Sequence, residues 1–377
     1  MRIGLFKTTQ AVMLAAVSAL SVLNGASRAN ADLTFTVLAG PSDAVNNTGA
    51  SEGSSAVDGS TLYTIASGNN STNSALPQIS QITGLGTSPA DSAFVTEANW
   101  VAGGGASTGI SGQMWNDGSY LEMYDSLSGN VIRMNKVTNP GTVFTYVTKA
   151  QLLADATASY GSSQTSILGS ATALTAGGDL AILDGSKGIY DTTGQGSAGV
   201  LISAAVLAST TNGGPGTASV NTFTIDGNNV FVGVSSKGMY EYNTVTTNWT
   251  GPLFTPTQIE GVTGNSGSTY LSTGSFFAPD GNVYFFDQTA KDIMVFDPNN
   301  ALSSLRVAVS SAQITSIEGT NLVSNLTWYN GNIAWDNVNT SGEGVYAAVP
   351  EPASLSVLAI GAVGLLSRRS RRQGQVL

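Results

Sequence analysis

Apolar residues in this chain gather in short runs separated by Gly, Asn, Asp, Ser and Thr, and the runs come in pairs. Six times an apolar run meets an Asp-Gly, Asn-Gly or Gly-Gly step and resumes as a second run. The first three pairs are Ala56-Val57-Asp58-Gly59 with Leu62-Tyr63, Met114 to Gly118 with Tyr120-Leu121, and Leu174 to Gly178 with Leu180 to Asp184. The others are Phe223 to Gly227 with Val230 to Val232, Phe276 to Gly281 with Val283 to Asp287, and Leu326 to Gly331 with Ile333 to Asp336. A turn dipeptide between two apolar runs is the strongest local signal for a β-hairpin. A third strand is predicted at Gly188 to Asp191, Gly238 to Tyr242 and Ile293 to Asp297, and a looser fourth element at Tyr146 to Leu152 and Val307 to Ile314. An Ile-x-Gly step recurs before the next hairpin, at Ile82, Ile110, Ile167, Ile259 and Ile317.

The turns at 58, 117, 177, 226, 280 and 330 are 59, 60, 49, 54 and 50 residues apart. Blades of four strands repeat every ~40 to 50 residues. The pattern therefore predicts an all-β fold, a six-bladed β-propeller. Seven blades, a β-sandwich or a solenoid remain as alternatives, because the first unit is weak and residues 66 to 109 read as a Gly/Ser/Asn-rich insertion. The clearest copy, Phe277 to Tyr284 with Phe296-Asp297, resembles the NHL-type and SMP-30/gluconolactonase-like propellers. That resemblance covers most of residues 33 to 348 and implies an architecture.

The chain ends read differently. Arg2 and Lys7 precede an apolar core at Ala11 to Leu23, and Ala29-Asn30-Ala31 supplies a small-x-small cleavage pattern. These are the parts of a secretory signal peptide, cut after Ala31. At the other end, Pro350-Glu351-Pro352 is followed by the apolar run Ala353 to Leu366 and by Arg368, Arg369, Arg371 and Arg372. An apolar run with a basic end is the pattern of a segment halted in a membrane, although this run is shorter than the ~20 residues that span comfortably. The three parts in this order resemble the PEP-CTERM sorting signal of Gram-negative bacteria. The resemblance implies transient anchoring in the inner membrane, cutting by an exosortase-type enzyme, and delivery to the cell surface or beyond, in a setting of exopolysaccharide and biofilm. A tail anchor that is never cut is the alternative. The expected organisation is a signal peptide over 1–31, a propeller-like domain over 32–348 and a sorting segment over 349–377.

Composition narrows the chemistry. The chain has no cysteine and no histidine, which excludes disulfides, thiolate centres, Ser-His-Asp and Cys-His sites and ordinary zinc sites. Of 14 basic and 24 acidic residues, the segment between the two signals keeps 7 and 23, a net charge of −16. So acidic a surface disfavours nucleic acid and anionic lipid as partners. Glycine runs such as Gly103-Gly104-Gly105 lack the lysine and flanking elements of a phosphate loop.

Two chemistries and one binding handle survive. Glu260 and Glu318 are candidate acid/base carboxylates, because both stand in an Ile-Glu-Gly step expected on one rim of the propeller. Calcium is the cofactor that the gluconolactonase-like resemblance would imply, but its ligands cannot be carried over residue by residue. Trp115 and Trp328 stand two residues before their turns, with Trp100, Trp249 and Trp335 elsewhere. Large rings repeated at a strand position are expected to pack between blades, and exposed ones would suit a sugar. The sequence thus reads as an exported, non-enzymatic binding or matrix component with polysaccharide as a candidate partner. A calcium-dependent lactonase or hydrolase at the channel and a purely structural coat protein stay open.

Overall fold

Each of the six predicted hairpins forms. The computed structural model describes residues 34–39, 54–65, 77–85 and 88–349, apart from 109, 111, 176, 186, 193, 195–198, 218–219, 266–270, 272–273, 320–322, 324 and 338–343. The signal segment 1–31 and the sorting segment from Pro350 lie outside the described residues. Contacts divide the chain into a unit of Thr36–Ala347, which is the one described below, and a unit made of the two chain ends.

The fold is all-β, six four-stranded antiparallel sheets with short helices between them. The first sheet holds β2 (Ser55–Asp58), β3 (Thr61–Ile65), β4 (Pro77–Thr83) and β5 (Ala90–Thr96). The second holds β6 (Met114–Asn116), β7 (Tyr120–Asp125), β8 (Asn130–Asn135) and β9 (Val143–Val147). The third holds β10 (Ala171–Leu174), β11 (Leu180–Asp184), β12 (Gly188–Asp191) and β13 (Gly199–Ser203). In the fourth are β14 (Thr222–Asp226), β15 (Asn229–Val234), β16 (Gly238–Asn243) and β17 (Asn248–Phe254). In the fifth are β18 (Phe276–Phe277), β19 (Val283–Asp287), β20 (Asp292–Phe296) and β21 (Arg306–Val309). The sixth combines β22 (Asn325–Tyr329), β23 (Asn332–Asn337) and β24 (Gly344–Val349) with β1 (Thr34–Ala39), in the order β1-β24-β23-β22.

Local chemistry explains these elements. The two-residue loop Asn330-Gly331 joins the paired residues Tyr329 and Asn332, and both loop residues have positive φ, 46° and 84°. Asn and Gly are the residues that tolerate that conformation, which matches the twist of the flanking strands. Inner strands are buried on both faces, which is why they read as unbroken apolar runs. In β11, Leu180 and Ile182 pack with the second sheet, while Ala181 and Leu183 pack with the fourth. Third and fourth strands are bulged near the start of the third strand in the second to fifth sheets, for example between Ile189 and Tyr190. A bulge at that place increases local twist.

The structure corrects three sequence expectations. Residues 66 to 109 are not mainly an insertion, since β4, β5 and α1 (Glu97–Ala102) all lie within them. The loose fourth element is the end of a strand followed by a capped helix: α2 (Lys149–Tyr160), α3 (Ala204–Leu207), α4 (Pro256–Thr263) and α6 (Ser311–Glu318) follow β9, β13, β17 and β21. A further short helix, α5 (Ala301–Ser304), precedes β21. The third correction concerns the Ile-x-Gly step, which is not one structural feature. It precedes β6 and β10, ends β4 at Ile82-Thr83, falls inside α4 at Ile259 and closes α6 at Ile317. What recurs is a capping box with an apolar residue behind it, Thr148-x-x-Gln151-Leu152, Thr255-x-x-Gln258-Ile259 and Ser310-x-x-Gln313-Ile314. The backbone N–H of each cap donates to its glutamine Oε1 at 2.8, 2.7 and 2.9 Å, satisfying an orphan donor at the helix start.

Candidate functional site

The first strand of every sheet lines one cavity of about 480 Å³. Its lining reaches the hairpin turns at Asp226-Gly227 and at the exposed Pro279. Towards the start of the first strands a belt of hydroxyls and amides links the sheets, the second to the sixth among them. Asn325 Nδ2 donates to Ser55 O at 3.0 Å, Gln113 Nε2 donates to Asn325 Oδ1 at 2.5 Å, and Thr172 Oγ1 donates to Gln113 Oε1 at 3.2 Å. On the other side Thr222 Oγ1 donates to Ser275 Oγ at 2.8 Å. Every consecutive pair of sheets is joined near the cavity or beside it. Asn116 Nδ2 donates to Val57 O, Trp115 Nε1 to Thr172 Oγ1 and the Phe277 N–H to Thr224 Oγ1, at 2.8, 2.8 and 3.0 Å. Ala173 and Ala181 share an apolar cluster with Phe223 and Val232, and the Tyr284 and Trp328 rings meet at 5.9 Å. Tyr329 OH donates to Leu85 O at 3.3 Å, between the sixth sheet and the first.

The lining is aromatic and nearly uncharged. Trp115 of the second sheet and Phe276 of the fifth stack with centroids 6.3 Å apart and planes at 26°, and Phe277 and Trp328 add two more rings. Trp115 and Trp328 thus contact neighbouring sheets, as repeated large rings were expected to, and also form the cavity wall. Asp226 is the one charged side chain in the lining among the described residues. Its carboxylate has no hydrogen-bond or ion-pair partner among them, and neither have Trp328 Nε1 and the Thr327 hydroxyl. Burial, with the Asp226 charge behind it, raises the carboxyl of Glu241 above the usual range.

Between the second and third sheets, charge is arranged differently. Glu122 is fully buried and ion-pairs with Arg133 Nε, whose Nη2 also reaches Asp179 Oδ1 at 3.0 Å. The guanidinium lies 3.4 Å from the Tyr146 ring centroid and 5.5 Å from that of Tyr120, and Tyr146 OH donates to Asp179 Oδ1 at 2.9 Å. Burial pushes the Glu122 carboxyl up to about 8 even though Arg133 pulls it down.

The two candidate carboxylates are not equivalent. Glu318 closes α6, is buried, and accepts from Trp335 Nε1 and from Asn337 Nδ2, the latter at 2.8 Å. Burial raises it to about 7, against those hydrogen bonds. Glu260 sits one residue after the apolar cap residue of α4 and is half-buried. Neither lines the cavity. Among the described residues no three Asp or Glu side chains come together as ligands for a metal ion. Asp336, beside Glu318, is pushed to about 7 by burial and accepts from Ser55 Oγ at 2.8 Å.

A repeated carboxylate escaped the sequence reading. Asp125, Asp184 and Asp287 end the second strands of their sheets and are fully buried or nearly so. Asp125 accepts from the backbone N–H of Ser128 and Ala106, Asp184 from Leu168, and Asp287 from Thr289. Each fixes the following turn or the incoming segment. The signal was an Asp closing an apolar run, visible at all three places.

No curated protein matches the chain. Residues 348–372 match the PEP-CTERM protein-sorting motif, so the chain carries that motif and with it a signal for export and surface sorting. Among the described residues no helix is long and apolar enough to cross a membrane, and the apolar run 353–366 lies outside them. Similar solved structures include virginiamycin B lyase from Staphylococcus aureus, at 10% identity over 84% of this chain and 99% of that one, TM-score 0.47. Others are a luciferin-regenerating enzyme, at 9% identity over 84% and 95%, TM-score 0.47, and the WD40 β-propeller domain of Doa1, at 8% identity over 83% and 97%, TM-score 0.45.

Proposed function

We propose that the chain loses residues 1–31 on export, folds over 32–348 as a closed six-bladed propeller, and is released to the cell surface when an exosortase-type enzyme cuts at the Pro350-Glu351-Pro352 step. There it acts as a non-enzymatic binding or matrix component in a polysaccharide-rich envelope, with the axial cavity as its ligand site. One observation carries the reading: a single cavity takes its lining from the first strands of all six sheets. The contacts that join each sheet to the next, the sixth to the first included, support closure. The lining also argues against turnover. Carboxylate acid/base hydrolysis needs two carboxyl groups flanking the bond, and Asp226 stands alone in the described lining.

The test has two arms. Mass spectrometry of envelope and medium fractions is expected to find a chain starting at Asp32 and lacking Arg368 to Arg372. Intact arginines in the dominant form would reduce the C-terminus to a tail anchor. Calcium titration of the purified mature chain is expected to leave its melting temperature unchanged and simple lactones intact. A saturable calcium-dependent rise, ~2.7 kcal/mol at a hundredfold excess over Kd, that is lost in Glu260→Gln or Glu318→Gln and accompanied by lactone hydrolysis, would replace this reading with the hydrolase. A ligand-free protein would favour the coat reading.

A further inference from the structure

The axial cavity combines four aromatic rings with one carboxylate that no described residue neutralises. Asp226 ends β14 on the face turned towards the fifth sheet, since Thr222 and Thr224 at the same alternation contact Ser275 and Phe277. Its counterpart in the second sheet is Asp117, whose carboxylate accepts from the N–H groups of Ser119 and Tyr120 at 2.8 and 2.5 Å and so closes its own turn. Asp226 makes no such bond to a described residue. The neighbouring charge that acts on Glu241 is of the same sign, and no lysine or arginine is in the described lining.

We propose that this cavity binds an organic ammonium ion, with Asp226 as its charge partner and the rings of Trp115, Phe276, Phe277 and Trp328 as its walls. The proposal rests on the cavity being the ligand site and adds the ligand's class. A carboxylate that faces a cavity and has no cation beside it among the described residues offers its full charge to a ligand of opposite sign. Aromatic faces are negative and attract cations, most strongly where water is excluded. The free Trp328 Nε1 donor and the Thr327 hydroxyl can then hold a hydroxyl or carbonyl carried next to the ammonium group. Calcium fits poorly, because it takes ~6 to 8 oxygen ligands, whereas a large, weakly hydrated cation is satisfied by one carboxylate and carbon walls. The volume of about 480 Å³ is within the ~300 to 1,000 Å³ of small-molecule sites, and the net charge of −16 between the two signals enriches cations at the surface.

The mature protein is titrated with choline, with ethanolamine, and with 3,3-dimethylbutan-1-ol, which has the shape of choline without its charge, while tryptophan fluorescence and heat are recorded. One of the two ammonium probes is expected to saturate and to bind at least ~10-fold more tightly than the neutral alcohol, a difference of ~1.4 kcal/mol. Asp226→Asn is expected to bring that probe down to the alcohol's level with an unchanged melting temperature, and Trp328→Leu to weaken it in a protein that still unfolds cooperatively. Glu97→Gln, on α1, is expected to bind as the parent does. Calcium chloride at matched ionic strength is expected not to displace the probe. Binding of both ammonium probes no tighter than that of the alcohol, displacement by calcium, or an Asp226→Asn variant that binds like the parent would each overturn the proposal while leaving a ligand site in place. Failure of both ammonium probes to saturate would overturn it too. Export and processing, read separately by mass spectrometry, stand or fall on their own.

Discussion

Arg133 in the second sheet and Glu241 in the fourth occupy the same lattice position. Each lies three residues into its third strand, after Asn130 and Gly238, and is paired with the second strand at Glu122 and Phe231. Both face the next sheet. In the second sheet that position supplies a cation, which neutralises Glu122 and Asp179 and is roofed by the Tyr146 ring. In the fourth it supplies another carboxylate, beside an Asp226 that has no partner among the described residues. One interface closes its charge account internally and is structural. The other leaves negative charge next to an aromatic cavity, where a ligand can use it.

Breaking the balanced interface is expected to have the largest effect. Arg133→Met leaves the buried Glu122 and the half-buried Asp179 without a cation, and removing one partner of a buried pair costs ~3 to 5 kcal/mol. Urea unfolding at pH 9 is expected to show that loss, with a smaller one at pH 6, where Glu122 holds a proton in the parent and the variant alike. A loss below ~1 kcal/mol at pH 9 would mean that Arg133 contributes only packing.

The pH dependence of the parent protein should be of intermediate size. Glu122, Glu318 and Asp336 are raised by burial to about 8, 7 and 7 in the folded chain, above the ~3.9 to 4.3 of unfolded Asp and Glu. Above pH 5 the folded state therefore holds protons that the unfolded chain has released. Stability from these groups is full below the unfolded values and is lost as pH rises through 7 to 8, with a slope of up to ~1.4 kcal/mol per pH unit for each group. Unfolding free energy is expected to fall between pH 5.5 and 8.5, and Glu122→Gln to flatten the upper part of that fall. A stability that climbs towards neutral pH would contradict the assignment. Smaller still, Thr148→Ala at the start of α2 is expected to cost ~1 kcal/mol, seen as a lower urea midpoint. Asp226→Asn in the open interface should change stability by ~0.5 kcal/mol or less, because the parent carboxylate has no bond to lose.

The hairpins were legible because their signal is local. Asp226-Gly227 or Asn330-Gly331 between apolar runs states its turn without reference to anything distant. β4 and β5 were hidden for a physical reason. β5 is exposed or half-buried at every position but Val95, so its sequence carries little apolar patterning. The Ile-x-Gly repeat misled because its copies fell at a strand end, ahead of two strands and at two different places in a helix, while the capping boxes at Thr148, Thr255 and Ser310 carried the true recurrence. Glu260 and Glu318 were paired by that string and have different surroundings in the structure, Glu318 buried against Trp335 and Asn337 and Glu260 half-buried. The cavity itself was not readable, since Trp115, Asp226 and Trp328 are brought together only by the strand register and by the order of the sheets. Nor was the equivalence of Arg133 and Glu241, whose flanking residues differ throughout.

Moving the cation from one interface to the other tests the comparison most directly. Glu241→Arg places in the fourth sheet the charge that the second already has, next to Asp226. Calorimetric titration of this variant with whichever ammonium probe the parent binds is expected to show affinity reduced at least ~10-fold, with a melting temperature equal to or above the parent's. Affinity unchanged in a folded Glu241→Arg protein would contradict the claim that the unneutralised charge at Asp226 is what the ligand reads.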